Sequence, residues 1–540
     1  MVQKSKKSQV ATSGANRNRP KSNTLYARYY KWWLLAGLAI VYLFWFSLYG
    51  MAFFIGDYVK EISEAEGIQT LTDQHSLLIT ILIRLLYSTG QGVFLYEIIA
   101  QIAILGMIWY SLITLRKIGL STFAVNVITA VYAFFPMYFF IANFVTKDQL
   151  FSAAVFALAV QFYKLLYTKN TNWQHFLIIG GLFTLCILLK TFFAVLILAF
   201  VFLILAAPRF WKQLIITGAT ALICAFVAQI GLVQALGAES IASHDLLSVP
   251  IQATGAIFND PNANISDEER EYYDNLYNND YFRELNPDVD PKDWYKRYVG
   301  LMSDNLKFPL WYVDMNVPEY LIKTTGLCFK NFGTCVQSYL TLMSGYLIPI
   351  EISFPVTGLF RNPTFSQYTS DIGDNFIPTQ TVTINSDRLC PTVEENKPLD
   401  FEGYKECMIK TLGDDRGPQV ADSVHPFIRD SLLQNSLIPG LAQAWLSLWH
   451  TLKFFLEGFW LFWISLALLV ISYVRPKFQR IRAMVWFIFS IYIGLFLVSP
   501  VAYERYLIPI YLLLPFVIGV FWVEHKRPQR RNSMRAKPKL

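Results

Sequence analysis

The chain has 540 residues, which by length alone allows three or four soluble domains. Hydrophobic residues make up 54% and charged residues only 16%, whereas a soluble globular chain carries about 25% charged residues. The mean hydropathy of +0.36 is reached despite a long polar stretch. This balance excludes a soluble enzyme, a disordered protein and a disulfide-held miniprotein, and leaves a mainly α-helical, polytopic membrane protein.

About 20 helical residues cross the roughly 30 Å hydrocarbon core. In chain order, apolar runs at 32–54, 91–115, 121–142, 149–167, 173–189, 191–207, 213–236, 453–474, 483–502 and 506–523 predict about ten transmembrane helices. The stretches 76–115 and 441–474 are too long for one crossing and too short for two. Each is expected to begin with a helix lying at the interface. The resulting organisation is a basic tail (1–31), an N-terminal transmembrane module (32–236) with a first outer loop (55–90), a large polar segment (237–440), a C-terminal transmembrane module (441–524) and a second basic tail (525–540).

Lysine and arginine in short flanking segments set the orientation. The first tail holds Lys4, Lys6, Lys7, Arg17, Arg19, Lys21, Arg28 and Lys31 with no acid, and the last adds Lys526, Arg527, Arg530, Arg531, Arg535, Lys537 and Lys539. Alternate connections carry Arg116/Lys117, Lys164/Lys169, Arg209/Lys212 and Arg475/Lys477/Arg480/Arg482. Both termini are therefore expected in the cytoplasm, with the protein in the cell membrane. The formal charge of +7 is a signature of membrane orientation, and no nucleic-acid partner is expected. The run 30–54 is too long for a cleaved signal and reads as a retained span.

The polar segment carries 29 acidic against 15 basic residues, the reverse of the chain as a whole. Long segments translocate regardless of charge, so it is expected on the outer side. Ser266-Asp267-Glu268-Glu269 reads as a capping box ahead of a Tyr-rich helix. Asp288, Asp290 and Asp293 lack the glycine of a calcium loop and their run is broken up by Pro287 and Pro291, so a solvated acidic surface is the better account. Cys186 and Cys224 fall inside spans and read as small apolar packers. Cys328, Cys335, Cys390 and Cys407 lie in the outer segment, where disulfides persist. Proximity pairs Cys328 with Cys335 and Cys390 with Cys407, out of three possible connectivities.

The same topology collects a sparse set of charges on the outer side: Asp57, Asp73 and His75 after the first span, Lys147-Asp148 before the fourth, Lys190 between the fifth and sixth, and Glu504-Arg505 before the tenth. Glu97, near the outer end of the second span, has no local cation and stands one turn from Gln101. An ionised group at membrane depth is costly unless it is paired, hydrated or used. Each residue also has a plainer account. Asp57 can be a hydrated loop acid, His75 a cap for the following helix, Lys147 a snorkelling cation and Asp148 an N-cap. Arg505 can be an interfacial anchor, and Lys453/Glu457 a self-paired couple. One or two carboxylates and several cations bordered by apolar helices suit a lipid that carries a phosphate. A carboxylate can accept a proton from an attacking hydroxyl, and the cations can stabilise a departing phosphate. No nucleotide-binding GxxxxGK[ST] or GxGxxG motif occurs.

In that order and on that side, the motifs resemble those of the GT-C-type bacterial membrane glycosyltransferases, especially envelope members from Gram-positive organisms. The likeness rests on Gly56-Asp57 with Thr72-Asp73-Gln74-His75-Ser76, on Asn143 to Phe151 around Lys147-Asp148, on Asn264 to Glu269, on Ser303 to Lys307, and on Tyr503-Glu504-Arg505-Tyr506-Leu507-Ile508-Pro509. Ser76 stands where the family has proline, and Leu189-Lys190-Thr191 where it has an Arg-x-Asn-Gly-like element. The resemblance implies transfer of a sugar from a polyprenyl-phosphate donor to an envelope glycan, lipid or teichoic-acid-like acceptor, with membrane lipids as surroundings. It casts Asp57 as general base and puts Lys147, Lys190 and Arg505 on the donor phosphate; beside them, the outer charges His75, Glu97 and Asp148 complete the candidate substrate-binding set. It implies inversion at the anomeric carbon, and it leaves a divalent cation open, since relatives differ. A polysaccharide polymerase or ligase would share the outer site, whereas a flippase for a lipid-linked glycan would need charged groups distributed through the membrane depth.

Overall fold

The fold is that of a computed structural model, which describes residues 25–49, 53–54, 61, 64–65, 70–135 (apart from 74 and 88–91), 138, 144–239 (apart from 146, 169–171 and 191–192), 247–347 (apart from 287, 299–303, 311–312 and 314), 458–499 (apart from 476–477) and 504–526. Asp57, Cys390, Cys407 and the Lys453/Glu457 couple lie outside the described residues. The protein is mainly helical. Among the described residues, six helices are long and apolar enough to cross a membrane. They are α1 (Leu25–Tyr49), α3 (Gly92–Lys117), α5 (Lys147–Thr168), α8 (Trp211–Leu236), α16 (Gln479–Val498) and α17 (Ile508–Lys526). The remaining four predicted spans coincide with α4 (Thr122–Phe134), α6 (Trp173–Leu189), α7 (Phe193–Ala206) and α15 (Phe459–Val474), helices of 13, 17, 14 and 16 residues. Among the described residues, length and composition thus give six candidate crossings, against the ten expected. The expected extra helix before the second span is α2 (Leu77–Tyr87), distinct from α3.

Aromatic side chains and close approaches knit the bundle. The Phe156 and Tyr163 rings of α5 meet Phe516 of α17 edge-on, at 6.2 and 5.6 Å between centroids. Phe202 of α7 stacks flat on Trp486 of α16 at 5.2 Å. A Cβ on Gly519 of α17 would sit 2.7 Å from Leu115 of α3, and one on Gly218 of α8 would sit 2.3 Å from the Phe200 ring of α7. Glycine at these positions is what lets the helix pairs approach.

Helix ends sort by charge. At one end, Arg116 lies over the Tyr30 ring, the Trp109 indole donates to the Lys31 carbonyl (2.7 Å), and Lys164 donates to Tyr110 Oη (2.5 Å). Arg480 of α16 there pairs with Glu524 of α17 at 2.6 Å and lies over the Tyr167 ring. The other end gathers the termini that the sequence assigned to the outer side. There β1 (Phe53–Phe54) pairs in parallel with β2 (Phe144–Val145), the latter immediately before α5.

Residues 247–347 form a second, smaller core around Trp294, which stacks on Tyr277 at 4.1 Å and packs against Phe258 and Tyr273. Its helices are α9 (Ser248–Asn259), α10 (Asp267–Tyr277), α11 (Asp280–Leu285), α12 (Asp304–Lys307), α13 (Val317–Lys330) and α14 (Phe332–Met343). Ser266 and Glu269 form the expected capping box at the head of α10. The expected Cys328–Cys335 disulfide joins α13 to α14. Cys186 is buried in α6, whereas Cys224 is exposed on α8 and so is not the packed residue expected. This unit packs against the bundle through Leu342, Met343 and Tyr346, which join the main core. Tyr346 Oη meets Ser499 Oγ at 3.1 Å at the end of α16. Glu239 bridges the first loop, accepting from the Asp73 N–H (2.9 Å) and donating to the Leu71 carbonyl (2.8 Å).

Gly218→Val is expected to cost about 1–3 kcal/mol by overpacking against Phe200, read as a lower unfolding temperature of the detergent-solubilised protein. An unchanged midpoint would show that α7 and α8 do not pack this closely.

Candidate functional site

Lys147 and Asp148 open α5, and both side chains turn into protein. The Lys147 ammonium contacts His75 Nδ1 and lies 3.1 Å from a Glu61 oxygen. It is 9% exposed, so it does not snorkel to water. Because an ammonium can only donate, His75 accepts at Nδ1 in this contact. Asp148 is the second residue of α5, and its carboxylate is paired with the Lys190 ammonium, which arrives from the C-terminal end of α6. Lys190 also lies over two aromatic faces, Phe151 at 5.3 Å and Tyr506 at 4.7 Å, an arrangement that favours a partly desolvated cation.

The first loop is held in place by its own hydrogen bonds. Ser76 Oγ donates to the Leu188 carbonyl at 2.6 Å, fixing the start of α2 against the end of α6. The Ile79 N–H donates to Ser76 Oγ, so the residue capping α2 is Ser76 and His75 is left to face Lys147. Thr72 donates to Glu64 at 2.7 Å. Glu61, Glu64, Asp73 and His75 are all buried.

Glu97 is fully buried one layer deeper. Its Oε1 accepts from Gln101 (3.2 Å) on its own helix and from Gln149 (3.3 Å) on α5. Its Oε2 meets no hydrogen-bond partner among the described residues. Tyr96, also fully buried, lies within electrostatic range of Glu61, Glu97 and Asp148.

Five of the seven expected site residues, His75, Glu97, Lys147, Asp148 and Lys190, are therefore gathered at one end of the bundle. Asp57 lies outside the described residues, three positions beyond β1, which is itself hydrogen-bonded to the segment leading into Lys147. The backbone of Arg505 is in a single 3₁₀ turn, Glu504–Leu507, next to the Tyr506 ring that faces Lys190. Sequence reasoning missed Glu61, Glu64 and Gln149. The available signal was the three-residue spacing of Glu61 and Glu64 in a loop of a chain poor in charge. Among the described residues, no group of three His, Cys, Asp or Glu side chains is placed to hold a metal ion.

The arrangement is a set of cations shielded from water, each matched to a carboxylate on a different element. An anion competing for either lysine would have to offset the loss of a buried ion pair. Compared with protein-family models, curated proteins and solved structures, the chain matches none of them.

Lys147→Met removes the buried cation that lies beside Glu61 and His75 and is expected to destabilise the protein by about 3–5 kcal/mol. The double variant Lys147→Met/Glu61→Gln is expected to recover most of that loss in thermal unfolding. Strictly additive losses would mean that the two groups do not interact.

Proposed function

We propose that this protein is a GT-C-type membrane glycosyltransferase, moving a sugar from a polyprenyl-phosphate donor to an envelope glycan, lipid or teichoic-acid-like acceptor at the outer face of the cell membrane. In this proposal all ten apolar helices span the bilayer and both basic tails are cytoplasmic. The observation that carries the reading is the burial of Lys147 and Lys190, paired with Glu61 and with Asp148 next to Lys147 at the start of α5, at the end of the bundle opposite the basic one. Apolar helices beside that cluster suit a polyprenyl tail, and buried ammonium groups suit its phosphate.

The chemistry follows from the charges. The acceptor hydroxyl gives its proton to the Asp57 carboxylate as its oxygen bonds to the anomeric carbon. The bond from that carbon to the phosphate oxygen breaks, and the leaving group departs as polyprenyl phosphate. Lys147, Lys190 and Arg505 stabilise the charge that develops on it. Attack in a single step inverts the anomeric centre. Asp148 and Glu61 hold the two lysines in place before the donor arrives. Tyr506 and Phe151 fix the direction of Lys190.

Asp57→Asn is expected to abolish release of polyprenyl phosphate by membranes supplied with lipid-linked sugar and native envelope acceptor, at unchanged protein level. Full turnover in that variant would remove Asp57 from the mechanism. A wild-type protein that moves the lipid across the membrane without cleaving it would replace the transferase reading with a flippase.

Lys190→Ala is expected to lower turnover at limiting donor by about 10–100-fold, on the order of 1.4–3 kcal/mol for a lost charge-assisted contact. Saturating donor is expected to restore part of it. An unaltered dependence on donor concentration would place Lys190 away from the phosphate.

A further inference from the structure

Away from the charged cluster, the α13–α14 hairpin exposes large apolar side chains from a unit whose sequence is otherwise acidic. Within α13, Tyr320, Thr324 and Leu327 face the small core, while Ile322 (73%) and Phe329 (77%) face outward. Within α14, Ser338 and Leu342 face inward, while Phe332 (66%) and Leu340 (54%) face outward, with Val336 between them. Residues 332–343 contain no charged side chain. These outward positions recur at helical spacing, so they form a stripe along each helix. A stripe of this kind on a stable unit marks an interaction surface.

The hairpin's position selects the occupant. Its base ends at Tyr346 and Leu347. Tyr346 bonds Ser499 at the end of α16, and the Leu347 carbonyl accepts from the Trp463 indole at 2.8 Å. Trp463 belongs to the apolar α15, whose outward residues include Ile464, Val470 and Ile471. The α14 stripe is thus continuous, through Trp463, with the apolar exterior of the helix bundle. Tryptophan is favoured at the membrane–water boundary, where its ring is buried and its N–H stays satisfied. The Cys328–Cys335 disulfide and the bond from Thr334 to Asp260 (2.6 Å) fix the tip of the hairpin to its own core. That bond, together with the Asn262 N–H, holds the Asp260 carboxyl below its usual range.

We infer that the α13–α14 hairpin lies with its apolar face in the headgroup–acyl boundary of the bilayer that holds the bundle, as a lipid-docking surface rather than a protein-docking one. The inference needs only the membrane, and it stands or falls separately from the transferase reading.

The test uses the full chain in phospholipid nanodiscs, with a ketone-bearing amino acid replacing Ile322, Phe329, Phe332 or Leu340 in turn and carrying a nitroxide. This leaves the cysteines untouched. Ile223, exposed on the spanning α8, and Glu268, exposed on α10, supply the lipid and water references. At the hairpin positions the ratio of collision with oxygen to collision with a water-soluble nickel chelate is expected to be severalfold above that at 268 and to approach that at 223. Ratios equal to that at 268 would place the face in water and overturn the inference. Labels shielded from both agents would show the face covered by protein, such as residues 348–456. Spin–spin broadening between discs' paired copies would assign it to a second chain. Either of those results also overturns the inference.

Discussion

Two lysine ammonium groups held out of water govern how one end of this bundle is built. Neither Lys147 nor Lys190 reaches solvent, so each needs a carboxylate, and each finds it on another element. Asp148 ties the end of α6 to the start of α5, and Glu61 ties the first loop to the same helix. Transfer of an unpaired charge into such surroundings costs several kcal/mol. The pairs therefore act less as added stability than as a constraint on which chain segments must lie together.

The rest of the site follows from that constraint. The β1–β2 pairing holds the segment after α1 beside the segment before α5. Ser76 locks α2 onto α6, and the 3₁₀ turn before α17 presents Tyr506 to Lys190. The opposite end obeys a different rule. There Arg116, Lys164 and Arg480 lie over tyrosine rings and reach carbonyl, hydroxyl or carboxylate groups at the rim. One end thus uses charge inside the protein and the other uses it at the edge.

Much of this was legible in the sequence, for physical reasons that can be named. Apolar runs located the helices because hydropathy over about 20 residues reports burial in lipid directly, and the spacing from Ser266 to Glu269 announced its cap. The grouping of His75, Glu97, Lys147, Asp148 and Lys190 was legible because lone charges between apolar runs have few places to go. Helix lengths were harder to read: α4 and α7 end sooner than their apolar runs, since hydropathy does not mark where backbone turns. The partners within the site were not legible at all. Asp148 looked like a cap and His75 like another, and only the fold reveals that Ser76 takes the capping role and frees His75 for Lys147. Glu61 and Glu64 were overlooked because an acidic loop normally faces water, and the pairings that bury them are between residues 86 and 8 positions apart.

The backbone bridge between the first loop and Glu239 joins two regions that sequence separates by a whole transmembrane module. The bridge holds residues 71–73 in register with the backbone that leaves α8, so at this point the loop bearing His75 and the end of that helix are anchored to each other.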